Sequence, residues 1–376
     1  MTLKVADFFC GTGGFSNGFV QTGEFEVVLG LDIKKASVGT FSANESKAVA
    51  ICEDIRKVKV RHMAGLLGKT RNAIDVIVGG PPCQGFSSIR PYRSINEDDR
   101  RNNLFEQFTL FVDFFEPKFV VFENVVGLGH HKGGETLASI TAALEGMGYA
   151  TDTAILNAVH YGVPQKRERL IVLARRGKIK PSLPMPRHRY NGRSMGGQLA
   201  LRTVPLFDHD LPEAVTVGDA ISDLPPVDAG EEVTEYLPDV VLTDYARARR
   251  KKCKVLTLHG ATRHTARMLE IVRKAGANRW ALPDGLTTSG FSTCYSRLAA
   301  DEPSTTLTVN FVHPASNRCI HPTQHRALTP REGARIQSFD DDFTFCGTRT
   351  EIVKQIGEAV PPLLGKAIAE AILQQT

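Results

Sequence analysis

Six short runs rich in β-branched and aromatic residues punctuate the first half of the chain: LKVADFF (3–9), FEVVLGLD (25–32), AIDVIVGG (73–80), KFVVFENV (118–125), TDTAILNAV (151–159) and RLIVLARR (169–176). Between them apolar positions recur at helical spacing, as in NLFEQFTLFVDFF and ETLASITAALEGMGY. Apolar strands that alternate with helices predict an α/β fold with a doubly wound parallel sheet covered on both faces. From about residue 177 the pattern breaks into proline, glycine and arginine clusters, KPSLPMPRHRYNGRSMGGQ and LPPVDAGEEV, which predicts a smaller, irregular second domain. Helical spacing returns in TEIVKQIGEAVPPLLGKAIAEAILQQ, where Leu363, Leu364, Ala367, Ile368, Ala371 and Ile372 form one apolar face able to pack onto the sheet. The expected division is 1–176, 177–325 and 326–376.

Composition narrows the class. A chain of 376 residues, 42% hydrophobic and 23% charged, has material for a large core. It has no leader-like start and no apolar stretch of about eighteen residues, so the expectation is a cytoplasmic, nucleoid-associated protein and no membrane partner. The seven cysteines (Cys10, Cys52, Cys83, Cys253, Cys294, Cys319, Cys346) are scattered without a C-x-x-C pair, which argues against a disulfide framework and against a metal site. The net charge of +5 is mild but concentrated. RARRKKCK (247–254) is followed by Arg263, Arg267, Arg273, Lys274 and Arg279, a pattern that suits either a solvated helix face or a grip on phosphates.

In open α/β sheets ligands gather at the carboxyl ends of the strands. DFFCGTGGF (7–15) lies at such an end, with Gly11, Gly13, Gly14 and Gly18, and misses the dinucleotide fingerprint G-x-G-x-x-G at position 16. The next strand ends in Asp32, and CEDI supplies Asp54 where a third strand would end. Carboxylates beside a glycine turn without a phosphate cradle suit a phosphate-free nucleoside such as S-adenosylmethionine; both acids would equally serve as turn residues or helix caps. In VIVGGPPCQGFSS, Pro81 and Pro82 bar regular structure while Gly85 permits close approach of another molecule, so Cys83 reads as a nucleophile rather than a small buried hydrophobe. FENV places Glu123 at an adjacent strand end, and YGVPQKRERLIVLA places Arg167 and Arg169 at i and i+2, expected to point to one face. Two guanidiniums beside a carboxylate and a thiol can bind a carbonyl oxygen and an anionic phosphate, or can hold loops together.

Six motifs in order, DFFCGTGGF, GGPPCQGFS, ENV, QKRER, RLAADEPSTTLT and QIGEAVPP, make the chain resemble the DNA (cytosine-5)-methyltransferases from end to end. The resemblance implies a Rossmann-like, S-adenosylmethionine-dependent methyltransferase sheet with a small target-recognition domain. It implies that Cys83 attacks C6 of a cytosine, that Glu123 bonds N3 and the exocyclic amine, and that Arg169, with Arg167 close by, holds the base and the catalytic loop. For the cofactor it implies Phe9 against the adenine, Gly11 and Gly13 beside the methionine, Asp32 on the ribose and Asp54 on the adenine amine, with Ile33, Ile55, Pro82, Leu104, Glu358 and Val360 also in the cofactor pocket. The base must leave the duplex to be reached, and Gln84, Ser87 and Arg101 in the loop after Cys83 are expected to contact DNA, as are Arg249, Arg250 and Lys251. The implied partners are double-stranded DNA and, in the same system, a cognate restriction endonuclease outside any stable complex; the protein is expected to be a monomer.

Two departures stand out. Glu358 occupies a position where the family usually has asparagine, and a carboxylate cannot donate the amide hydrogen bonds. Framework-like sequence fills much of 177–285, leaving TTSGFSTCYS (287–296) as the stretch where a separate reader of DNA could be inserted. The alternatives are a tRNA cytosine-5 methyltransferase, whose Cys-Phe-Thr signature is absent, and a catalytically silent DNA-binding module.

Overall fold

The computed structural model describes residues 2–67, 73–81, 103–192, 210–283, 285–287 and 290–376. In chain order the regular elements are β1 (Leu3–Phe8), α1 (Gly14–Val20), β2 (Phe25–Asp32), α2 (Lys35–Asn44), β3 (Val49–Cys52), α3 (Val60–Leu66), β4 (Val76–Gly79), α4 (Asn103–Phe115), β5 (Phe119–Asn124), α5 (Glu135–Gly146), β6 (Tyr149–Asn157), β7 (Gln165–Lys166) and β8 (Glu168–Arg176). There follow α6 (Val217–Ile221), α7 (Asp244–Arg250), α8 (Ala266–Lys274), β9 (Ser304–Thr305), α9 (Pro330–Ile336), α10 (Arg349–Glu358) and α11 (Pro362–Leu373).

Seven strands form one sheet in the order β3-β2-β1-β4-β5-β8-β6. The first five are parallel, whereas β8 runs antiparallel to both β5 and β6. The expectation of a parallel sheet is corrected at that strand: the link from β6 to β8 is too short for a crossover and can only turn back. Both faces are covered, as the unbroken apolar runs require. On one face Phe108, Phe111 and Phe115 of α4 pack with Phe8 and Phe122; on the other Leu364, Ala367, Ile368 and Ile372 of α11 pack with Phe15, Phe19, Val76 and Val78. Helices α1 and α11 cross with backbones nearly touching, since a Cβ on Gly18 would overlap the Pro362 carbonyl oxygen and one on Gly365 that of Phe15.

The irregular second half has its own core, built from Val217, Leu256, Leu298 and Phe311 together with Ala334, Ile336, Phe339, Ile352 and Ile356. Helices α9 and α10 contribute to this core and also meet the first half of the chain, where Thr40 donates to Gln355 (2.6 Å) and Gln165 to Gln337 (2.8 Å), while α11 packs on the sheet itself. A buried ion-pair network runs beside it: Arg335 pairs with Asp341 (2.6 Å) and Asp223 (3.2 Å), and Arg326 with Glu332 (2.7 Å). Burial alone would raise the Glu332 pKa, but Arg326 and His321 outweigh it and bring it to about 2. A satellite cluster of Ile271, Val272, Ala275, Leu282 and Ile320 lies under α8. Among the described residues no helix is long and apolar enough to cross a membrane.

Candidate active site

Three strand ends converge on one place. β4 and β5 pair in parallel with Gly79 opposite Phe122, so Gly80 leaves β4 beside Glu123, which stays paired with Ile171 of β8. A Cβ at Gly80 would lie 2.8 Å from Glu123 Oε2, and only glycine leaves that carboxylate its room. The neighbouring Asn124 donates its Nδ2 amide to the Pro81 carbonyl (2.9 Å), tying the start of the proline-cysteine loop to the end of β5. The sequence reading passed over this contact, although the asparagine beside the glutamate and the double glycine before the prolines carry it. Cys83, Pro82, Gln84, Ser87 and Arg101 lie outside the described residues.

Glu123 is nearly buried and meets Arg169 of β8, Nε to Oε1 2.7 Å. Burial pushes its carboxyl above the ordinary carboxylate range, with Arg169 and Arg167 pulling the other way. A carboxyl so placed holds a proton more readily than one in water, which suits a donor to a ring nitrogen.

Arg167 departs from its expected place. Strand alternation begins only at Glu168, so Arg167 does not share a face with Arg169; it is fully buried and donates to the carbonyls of Leu307 (3.2 Å), Gly357 (3.0 Å) and Glu358 (3.3 Å). Its cation lies at the carboxyl end of α10, where the helix dipole favours positive charge. Arg167 is therefore corrected from a base-binding group to a joint between β7, β9 and α10 that influences Glu123 only through space.

Around the ends of β1 and β2 a second group assembles. Phe9 leaves the sheet with φ 62°, and Gly11 and Gly13 turn the chain with φ 51° and 82°. The Asp32 carboxylate accepts the backbone N–H of Gly11 (3.0 Å) and of Lys34 (2.8 Å), which fixes it across the glycine turn, and Ile33 between them is exposed. Lys34 reaches over to Glu358 (2.5 Å), while Gly14 leaves room for the carbonyl of Val360. The glutamate that stands in place of asparagine thus bridges α10 to the end of β2. Asp54 caps the turn that follows β3, accepting the Arg56 N–H (3.0 Å), and also pairs with the Arg56 guanidinium. The cap reading of that acid is the one its contacts carry. Ile55 and Leu104 are buried in the core behind the site. An open cavity of about 560 Å³ flanks β3, lined by Ile51, Cys52, Glu53, Lys57, Val58 and His62.

These neighbourhoods follow the order of the six motifs, and the comparisons decide what they belong to. The profile of C-5 cytosine-specific DNA methylases matches residues 3–374. The chain belongs to that family. It is a DNA (cytosine-5)-methyltransferase, and bacterial Type II enzymes are among its relatives. It is 34% identical to the Type II methyltransferase M.AgeI of Thalassovita gelatinovora, over 98% of this chain and 99% of the relative. It is 35% identical to M1.HphI of Haemophilus parahaemolyticus, over 100% and 87%. The crystal structure of a prophage-encoded E. coli protein described as a DNA modification methyltransferase superimposes with a TM-score of 0.74 at 24% identity, covering 99% of both chains, and shows the same fold.

For this methyltransferase the reading of the basic run at 247–254 is corrected at Arg249. Arg249 is buried and pairs with Asp340 (2.7 Å) while donating to the Ser338 carbonyl (3.1 Å), so its charge is spent inside the fold and does not face a phosphate. Lys251 lies between Asp340 (2.7 Å) and Asp342 (3.0 Å), and the Arg250 guanidinium stacks 3.9 Å from the Tyr236 ring centre.

Proposed function

We propose that this chain methylates C5 of a cytosine extruded from duplex DNA, with S-adenosylmethionine as methyl source and Cys83 as nucleophile, as the modification half of a restriction–modification system. The observation that carries this reading is the junction of Gly80, Pro81, Glu123 and Arg169, which sets a nearly buried carboxyl of raised pKa where the cysteine loop begins, in a chain of this family. Cys83 adds through its sulfur to C6 as Glu123 gives a proton to N3, which makes C5 nucleophilic. After C5 accepts a methyl group, loss of the C5 proton and elimination of Cys83 restore the aromatic ring. Arg169 fixes Glu123 throughout, so the acid neither rotates nor admits a competing cation.

The residues around β1 and β2 fit a cationic cofactor. Asp7 is buried beneath the glycine turn with one carboxylate oxygen unpartnered, and burial chiefly, with Asp32 adding repulsion, lifts it to about 7. Asp32 is raised by burial as well, with Glu358 adding repulsion. A ligand with a sulfonium and an ammonium relieves that crowding of negative charge; when bound, it supplies an activated methyl group. Gly11, Gly13, Asp32, Glu358 and Val360 would hold it, with Phe9 and Ile33 supplying apolar surface. Glu358→Asn is therefore expected to raise KM for S-adenosylmethionine roughly two- to tenfold with kcat nearly unchanged, the weight of one partly exposed charge. Steady-state kinetics check this, and a fall in kcat alone would contradict the placement.

The reading is tested by offering tritiated S-adenosylmethionine with duplex DNA and, separately, with tRNA. Label in 5-methylcytosine of the DNA is expected; label in tRNA alone would overturn it.

A further inference from the structure

The chain has one tryptophan, and it is on the outside: Trp280 is 74% exposed. Tryptophan is usually among the most covered residues, and an apolar cluster lies within reach of its own segment. In NRWALPDGL that cluster takes Leu282, with Leu286 packed against it, while a short 3-10 turn over Arg279–Ala281 turns Trp280 away. Phe291 is also exposed, at 66%. Arg279 pins the two segments together: its backbone N–H donates to the Ser292 carbonyl (2.9 Å) and its guanidinium to the Gly290 carbonyl (2.6 Å), the residues on either side of Phe291. The same guanidinium lies 5.6 Å from the Trp280 ring centre. Two solvent-facing aromatics thus flank one fixed cation.

This platform is linked by hydrogen bonds to β7, the short strand that precedes β8. The hydroxyl of Thr306 donates to the Lys166 carbonyl (2.7 Å), immediately before Arg167, and the Thr306 carbonyl accepts from Asn317 Nδ2 (3.1 Å). The next residue, Arg318, donates to the carbonyl of Ala277, three residues before Trp280. The surroundings are basic, with six basic side chains against two acids over residues 263–297, and Glu270 is already paired with Lys274. Exposed aromatics interleaved with cations suit a surface that carries flat π-faces and phosphates, which is the chemistry of opened DNA. An acidic protein partner would need the cations but not the aromatics.

We infer that Trp280 and Phe291, held around Arg279, form a stacking platform for bases of the DNA substrate beside the extruded cytosine. The inference rests on the proposed action on duplex DNA. Trp280 positions the duplex and takes no part in the chemistry, so its loss acts on binding of DNA.

Because Trp280 is the sole tryptophan, its fluorescence reports on it alone. Titration of the whole protein with duplex DNA, with binding followed independently by the anisotropy of a dye on the DNA, is expected to quench the emission and protect it from acrylamide as the duplex binds. Trp280→Ala is expected to raise KM for duplex DNA roughly five- to hundredfold, with KM for S-adenosylmethionine and Tm unchanged, and Trp280→Phe to restore most of the loss. Emission that does not change while anisotropy shows bound DNA would overturn the platform and leave the methylase reading intact. So would an unchanged KM, or a Tm that falls with activity. Absence of any DNA binding by anisotropy would overturn the methylase reading, and the platform with it.

Discussion

Glu123→Gln is expected to lower kcat by roughly 10²–10⁴-fold, while leaving the protein at least as stable as the wild type at neutral pH. The two effects separate because they draw on different properties of one carboxyl. Catalysis needs its proton, and an amide has none to give. Stability depends on the whole environment, in which burial outweighs Arg169 and Arg167, so the carboxyl keeps its proton to higher pH in the folded protein than in the unfolded chain. A carboxyl whose pKa is raised on folding adds stability below its unfolded pKa and loses it as pH rises through the folded value. The neutral amide is free of that loss, so the difference in Tm should move in the variant's favour as pH is taken from about 4 to 8. Melting curves across that range, with single-turnover rates, check both halves. A variant that melts much lower at pH 8 would show that the Arg169 pair is a structural strut.

The second large effect lies far from the chemistry. Arg335→Leu is expected to destabilise the protein by about 3–5 kcal/mol, because it strands the buried carboxylate of Asp223 and leaves that of Asp341 with only Arg331 (3.4 Å) and the Tyr236 hydroxyl (2.6 Å). Asp341 is held below its ordinary pKa: burial would raise it, but Arg335 and Arg331 prevail. A depressed carboxyl contributes stability above its unfolded pKa and loses it as pH falls through the folded value, so this network should fail in acid. The denaturant midpoint of Arg335→Leu should recover in part when Asp223 and Asp341 are also replaced by neutral residues. Equal midpoints for wild type and Arg335→Leu would remove the network from the account of this core.

Much of the sheet and the location of the site could be read in the sequence, for physical reasons. Strands buried on both faces must be continuously apolar, and turns must follow them, so LKVADFF, AIDVIVGG and KFVVFENV announced the strands and put the glycine turn and Glu123 at their carboxyl ends. Direction was not written there: an apolar run is the same forwards or backwards, and only the short link before β8 makes it antiparallel. Arg167 was misplaced because alternation was extended one residue beyond the strand. Arg249 misled because a run of cations shows its charge but not Asp340, its partner some ninety positions later. Asn124 and Lys34 went unnoticed beside Glu123 and Ile33, since each alone is an ordinary polar residue, yet they bind Pro81 and Glu358. Trp280 was legible only as a framework residue; nothing in its spacing says that the fold turns it outwards.

The central claim is that Cys83 bonds covalently to the target cytosine, and one measurement bears on it directly. Duplex DNA in which cytosine is replaced by 5-fluorocytosine cannot lose a proton from C5 after methylation, so Cys83 cannot be eliminated and the protein should stay attached. In the presence of S-adenosylmethionine the wild type is expected to form a complex that survives denaturation, with a mass equal to protein plus DNA plus one methyl group. Cys83→Ser is expected to form none. Trapping of Cys83→Ser to the same extent as wild type, or methylation of ordinary DNA by a wild type that is never trapped, would contradict the account.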